Sequence, residues 1–475
     1  MNTSSFKIGL FGIGLDTYWP QFEGLKDRLE GYLKIVEEKL FAIHSSVINA
    51  GLVDNIDKAF EAGCMFRKEN VDIIFLHVTT YALSSTVLPV VQKAKVPVII
   101  LNLSPTASID YDSFNAMNDR TKMTGEWLAY CSACPVPEIA NVFSRTGISF
   151  HQVTGLLQND DACWNEILDW VQAARVMNTM QYNRLGCMGH YYSGMLDIYT
   201  DLTKQYAYFG GHIELLEVEE LATLRKEVSE EAMKERLQLF YEKFDVQEDC
   251  SIEELQKAAI TSVALDKLAM QYKLGSLAYY YKGTGNTENE EAISSIILGN
   301  SLLTARGIPV AGEYEIKNAQ AMKIMDSFGA GGSFTEYYAI DFNDDVVLMG
   351  HDGPGHIAIA EGKIKVRPLK VYHGKAGKGV SVEMSVKNGP VTLLSIIEKK
   401  DELILLVAEG ASVAGPILQI GNTNSRYKFS IGARKFVNEW NSYGPAHHCA
   451  VGVAHIASKI AKLGKLLNME VVRVC

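Results

Sequence analysis

Apolar and polar positions along the first hundred residues switch between two spacings. Residues 6–13 form a compact apolar run ending in glycines, the pattern of a buried strand. Residues 22–42 (FEGLKDRLEGYLKIVEEKLFA) carry apolar groups at helical spacing with charges between them, which predicts an amphipathic helix. Residues 45–49 read as a second strand, 55–68 as a helix, 71–78 (VDIIFLHV) as a buried strand, 87–95 as a helix and 96–103 (VPVIILNL) as another strand. This alternation predicts parallel strands with helices on both faces. Ligands of such sheets bind beyond the carboxyl ends of the strands. Here that selects residues 12–19, 77–81 and 102–105.

A second α/β stretch begins near residue 176. Strands are predicted at 184–189 and 212–217 around a helix at 197–208, charged helices over 219–273, and strands at 276–281 and 308–311. After residue 330 the texture changes to short β-rich runs at 334–342, 346–350, 357–360, 363–372, 380–386, 391–398 and 403–408. Turn signals such as KNGP and FNDD separate them, which predicts an antiparallel sheet or barrel. Helices near 432–440 and 449–463 and a strand at 469–474 follow. The expected domains are therefore 1–175, 176–330 and 331–475.

Composition narrows the functional classes. The chain has 475 residues, 47% of them hydrophobic and 21% charged, which suits packed cores and excludes a fibrous or disordered protein. Its net charge of -11, with no Lys/Arg block, argues against nucleic acid as a partner. No apolar run reaches the roughly 18 residues of a membrane span, and the N-terminus lacks signal-peptide features. The eight cysteines are scattered through apolar contexts, as expected of reduced thiols in the cytoplasm. Cys131 and Cys134 form an isolated CxxC with no second ligand pair, so a structural reading is favoured over a metal or redox one.

The candidate chemistry lies mainly beyond residue 312. Gly12 and Gly14 begin a dinucleotide-like turn, but Thr17 stands where the third glycine belongs, and no phosphate-binding P-loop motif is present. The richer set is Glu313 in AGEYEIKNA, Glu336 in GGSFTEYY, His351 and His356 in MGHDGPGH, and the His447–His448 pair in GPAHHCAVG. Carboxylates with imidazoles suit Mn²⁺, Co²⁺ or a similar ion better than a thiolate-loving metal. Each residue is predicted at an element boundary, with His448 opening a helix.

These strings resemble the metal-site signature of L-arabinose isomerases, within the wider L-fucose/L-arabinose isomerase group. HGKAGKGVSVEMSVKNGPVTLLSI, GLFGIGLDTYWPQF and KQYAYFGGHIELLEVEEL are similar to the same family. The resemblance implies two Rossmann-like α/β domains with parallel sheets and a C-terminal antiparallel β-barrel-like domain with helices. It implies a homo-oligomer, hexamer or tetramer, whose sites are completed by a neighbouring subunit. By motif, Glu313, Glu336, His351 and His448 match the ligands of Mn²⁺ (or Co²⁺ or Mg²⁺), and the two glutamates match the acid/base pair of an aldose–ketose isomerase in carbohydrate metabolism. We assign Glu336 to proton abstraction and Glu313 to oxygen-proton transfer.

The expected substrate shell departs from the family. Leu15, beside Asp16, stands where a Gln is typical. Residues 280–283 (YYKG) replace a TFED-like segment, and residues 352–356 also differ. These changes point to a different sugar, such as L-fucose, D-arabinose or D-galactose. Possible sugar contacts are Leu15, Asp16, His77, Tyr81, His190, Tyr281, His356 and His447. His44, His151, His212, His373 and His455 read as structural. The rival classes are a sugar-binding or regulatory protein that keeps the fold, and an NAD-dependent dehydrogenase.

Overall fold

The apolar runs near the N-terminus become central strands because helices bury both faces of their sheet. The computed structural model describes residues 6–372, 375–376 and 378–475; His373 lies outside them. The chain divides into two compact units, residues 2–178 and 179–475. In the first, five parallel strands lie in the order Val47–Val53, Ile8–Ile13, Ile73–His77, Val98–Ser104 and Phe150–Leu156. Ile8, Leu10, Phe11 and Ile13 have no exposed surface. The first helix, Leu25–Ile43, starts later than its apolar pattern because Gly24 adopts a left-handed conformation (φ 79°). Trp19 covers Gly14, and its indole N–H donates to Asp54 Oδ2 at 2.9 Å. The space beside the Gly12–Gly14 turn is thus filled by the chain's own ring. In the CxxC, Cys131 is buried and Cys134 exposed; burial and then the neighbouring thiol push Cys131 up to about 11, which suppresses thiolate chemistry.

The second unit begins with a four-stranded parallel sheet ordered Val310–Ala311, Ser276–Tyr280, Arg184–Gly189 and His212–Leu216. The helix expected at 197–208 is instead a single 3₁₀ turn, Leu196–Ile198, followed by the helix Leu202–Phe209. Asp201 separates them, its carboxylate accepting from Thr203 N and Lys204 N as an N-cap.

The C-terminal region is a mostly antiparallel sheet, ordered Gly389–Glu398, His448–Val453, Ser333–Asp341, Val346–His351, Thr423–Phe429, Leu403–Val413 and Glu470–Arg473. Gly389–Glu398 also pairs with Leu403–Val413, so six strands form a closed circuit of pairings. Only Glu470–Arg473 joins in parallel, outside that circuit. Two expectations are corrected, and one strand was not foreseen. Residues 357–360 hold a 3₁₀ turn, Ile357–Ile359, and not a strand. Thr423–Phe429 is a strand that no apolar alternation announces. The segment 449–463 is not one helix: His448–Val453 is a strand and the helix is Ala457–Leu467. Pairing on both edges of the valine-rich HCAVGV run overrides its helical neighbours.

Phe436 anchors the core against this sheet. It is fully buried, stacks on Phe429 and packs against Tyr337 and Trp440. Phe436→Ala should cost roughly 3–5 kcal/mol, read as a lower midpoint in denaturant unfolding. A change within error would show that the site collapses around the cavity.

Candidate functional site

Strand register assembles one half of the site. Glu336 sits opposite His448 on one side and Gly350 on the other. Opposed residues of an antiparallel ladder project to the same face, so Glu336 and His448 are neighbours by backbone geometry alone. His351 ends the next strand. Its N–H donates to Thr423 Oγ1 (3.0 Å), and its carbonyl accepts from the same hydroxyl (2.9 Å). A side chain at Gly350 would collide with the Thr423 carbonyl, so this close approach requires glycine. Phe334 supplies the apolar wall, its ring centroid 4.6 Å from that of His351 and 4.3 Å from that of His448.

The other half comes from the end of the parallel sheet. After Val310–Ala311 the chain turns at Glu313 and Tyr314, both left-handed at φ 56° and 64°. Non-glycine residues there store strain, on the order of 1–3 kcal/mol each, and such residues cluster at functional sites. Tyr314 N–H donates to the Tyr279 carbonyl (3.0 Å), and Glu315 N–H to the Gly312 carbonyl (2.9 Å), which hold the turn before the helix Ile316–Ser327. The two glutamates then flank one imidazole. Glu313 Oε2 lies 3.5 Å from His448 Nε2, and Glu315 Oε2 lies 2.5 Å from His448 Nδ1. His447 stands at the rim. Its backbone N–H donates to Asp197 Oδ2 at 2.9 Å and its Nδ1 approaches that oxygen to 2.6 Å, while Nε2 is 3.8 Å from Glu313.

Ligand-type atoms gather in two triads that share His448: Glu336 with His351 and His448, and Glu313 with His447 and His448. Within each triad they lie within 4.8 Å of one another. Glu313 Oε2 and His448 Nε2 are buried without a hydrogen-bond partner among the described residues. Buried polar atoms in such a state call for a further binding partner.

Burial drives the electrostatics. It lifts Glu313 to about 7, with His447 opposing and Glu336, Asp352 and Glu315 adding to the rise. It lifts the fully enclosed Glu315 to about 8. It lowers His351 to about 4, helped by His448, and drives His448 well below its ordinary value. For His447, burial is outweighed by the Asp197 hydrogen bond and charge, and the pKa rises. The site therefore holds two neutral imidazoles, the protonation state a metal ligand requires, beside a carboxyl poised to gain or lose a proton.

Glu313, Glu336, His351 and His447 line a cavity of about 120 Å³, together with Tyr192, Tyr279, Tyr280, Tyr281 and Asp352. His190 is exposed and one ring further out, edge-on to Tyr280 at 5.4 Å. His356 is buried against Gly331, 3.8 Å from Asp326. Leu15, Asp16, His77 and Tyr81 belong to the first unit. Leu15 and Asp16 follow strand Ile8–Ile13. His77 is buried, which lowers its pKa to about 3, and Tyr81 donates to Glu138 Oε2 at 3.1 Å. His44 contacts the Phe6 carbonyl, His151 stacks on Trp170, His212 pairs with Glu214 and His455 contacts the Gly410 carbonyl. Sequence reasoning missed Glu315 and Asp197. The second Glu of GEYE signals the first; nothing local signals the second, which is 250 positions from His447.

Residues 331–470 match the family model of the L-arabinose isomerase C-terminal domain. The match supports an L-arabinose isomerase-like family and indicates a sugar isomerase. It spans Glu336, His351, His447 and His448, while Glu313 lies outside it. A search of curated proteins gave no significant match.

The Glu313 shift has a testable sign. Its folded value, about 7, lies above the ordinary 4.5, so ionisation favours the unfolded chain. The stability it contributes is complete below pH 4.5 and lost as pH rises through 7. In chelator, the melting temperature of the wild type should therefore fall more steeply from pH 4.5 to 8 than that of Glu313→Gln. Parallel curves would mean that Glu313 titrates normally.

Proposed function

We propose that this sugar isomerase is a divalent-metal-dependent aldose–ketose isomerase acting through an enediol. The observation that carries the reading is the buried, unpartnered pair Glu313 Oε2 and His448 Nε2, set among two carboxylates and two neutral imidazoles. Glu313, Glu336, His351 and His448 would hold Mn²⁺, or Co²⁺ or Mg²⁺, a donor set suited to such ions. The bound ion would supply Lewis-acid polarisation of the substrate's O1 and O2.

The chain's own groups account for the proton movements. Glu336 removes the proton from C2 of the aldose and returns it to C1 of the enediol. Glu313 carries the proton between O1 and O2. Glu315 contacts His448 Nδ1 and fixes the ring; with the proton on Nδ1 it would accept from His448, which would leave Nε2 as the ligand atom, the usual arrangement behind a metal-bound histidine. The tyrosines around the cavity limit water at the reacting carbons.

On this reading the three regions 1–175, 176–330 and 331–475 act as separate domains, and the closed circuit of pairings is a small barrel. The protein works in the cytoplasm as a homo-oligomer. Leu15, Asp16 and Tyr81, near the carboxyl end of the first sheet, meet sugar in a neighbouring subunit's site. A binding protein would have no use for the carboxylate pair, which disfavours the regulatory alternative.

The test is ketose formation by chelator-treated protein, with and without Mn²⁺, from L-arabinose, L-fucose, D-arabinose, D-galactose and further aldoses. Turnover restored by metal is expected; metal binding with no turnover of any aldose would reject the isomerase mechanism. Glu336→Gln should lower kcat by about 10²–10⁴-fold with an unchanged melting curve in chelator. In direct Mn²⁺ titrations His448→Ala should weaken binding more than His447→Ala, and the reverse ranking would shift the ligand by one residue.

A further inference from the structure

Beside the reaction cavity lies a larger one of about 370 Å³, which shares Tyr279, Tyr281 and Ile293 with it. Small-molecule sites usually enclose about 300–1,000 Å³, so the 120 Å³ cavity alone falls short of a full substrate site. The adjoining space is charged. Lys257 is neutralised by Glu254 (3.2 Å) and Glu291 (3.5 Å), and Arg225 holds Glu291 from the other side (2.5 Å). Glu290 Oε1 accepts from the Gly285 N–H at 2.9 Å. Two further cations, Lys282 and Lys378, line the same cavity, are exposed, and have no carboxylate partner among the described residues. Lys282 follows directly on Tyr281, which faces both cavities.

We propose that the substrate is an aldose with an anionic group at the end remote from its carbonyl, a carboxylate or a phosphate, held by Lys282 and Lys378 while C1 and C2 occupy the smaller cavity. The inference rests on the isomerase reading and deepens it. A neutral sugar leaves the two ammonium groups facing solvent. An anionic tail gains charge-assisted hydrogen bonds from both, and it must be long enough to cross Tyr281.

The experiment compares kcat/KM for D-glucuronate, D-galacturonate and D-arabinose 5-phosphate with that for the matching neutral aldoses, in the Mn²⁺-loaded wild type and in Lys282→Gln/Lys378→Gln. We expect the wild type to favour one anionic class by at least about tenfold, the scale of one charge-assisted hydrogen bond. The uronate and phosphate arms identify which class. In the double variant this preference should fall toward unity, with neutral turnover unchanged. Turnover of neutral aldoses at an equal or higher rate would overturn the proposal and leave the isomerase reading standing. If no aldose is turned over, the same sugars are titrated calorimetrically. Lysine-dependent binding of the anionic class would then retain the anion site and reject the isomerase, and binding blind to charge would reject both.

Discussion

One imidazole, that of His448, is held at Nδ1 by Glu315 and faced at Nε2 by Glu313, both from a single turn, and the rest of the site is arranged around it. The Glu315 contact at 2.5 Å is fully enclosed, where removing either partner would strand a buried polar group. It ties the start of helix Ile316–Ser327 to a central strand of the antiparallel sheet. Because His448 faces Glu336 across the ladder, fixing the ring also fixes the second carboxylate. Because Glu313 precedes Glu315 by two residues, the same tie sets the first. The left-handed backbone at Glu313 and Tyr314 persists because both of its ends are held, one by the sheet and one by the helix.

Desolvation acts on this cluster in opposite directions with one result. It makes the imidazoles harder to protonate and the carboxyls harder to ionise, and both effects reduce buried charge. Metal-assisted proton transfer at neutral pH would need such a balance, in which the imidazole nitrogens keep their lone pairs while a carboxyl remains able to exchange a proton. Phe334 packs against both rings and so contributes to this desolvation.

Much of the architecture was legible where a segment is buried on both faces. VDIIFLHV and VPVIILNL contain the strands Ile73–His77 and Val98–Ser104 nearly to their ends. Legibility failed where polar residues are buried by specific partners. Thr423–Phe429 (TNSRYKF) hides as a strand because Arg426 is neutralised by Asp344 and Asn424 bonds to the Leu418 backbone. In HCAVGVAHIASKI, small residues blur the change from strand to helix, so His448 was expected at a helix start and stands in a strand. Glu313, Glu336, His351 and His448 were legible as motifs because each lies in a short, distinctive string. Asp197 was not, since its bond to His447 exists only once the chain has folded.

The circuit of six paired strands gives every one of its members a neighbour on each edge. In an open sheet an outer strand can slide by one residue and turn its side chains to the opposite face. Here any such slip would have to propagate round the whole loop. Glu336, His351 and His448 are therefore locked in phase, much as teeth are on meshed gears. Variation in the surrounding turns can reshape the mouth of the cavity without disturbing the alignment of these three side chains.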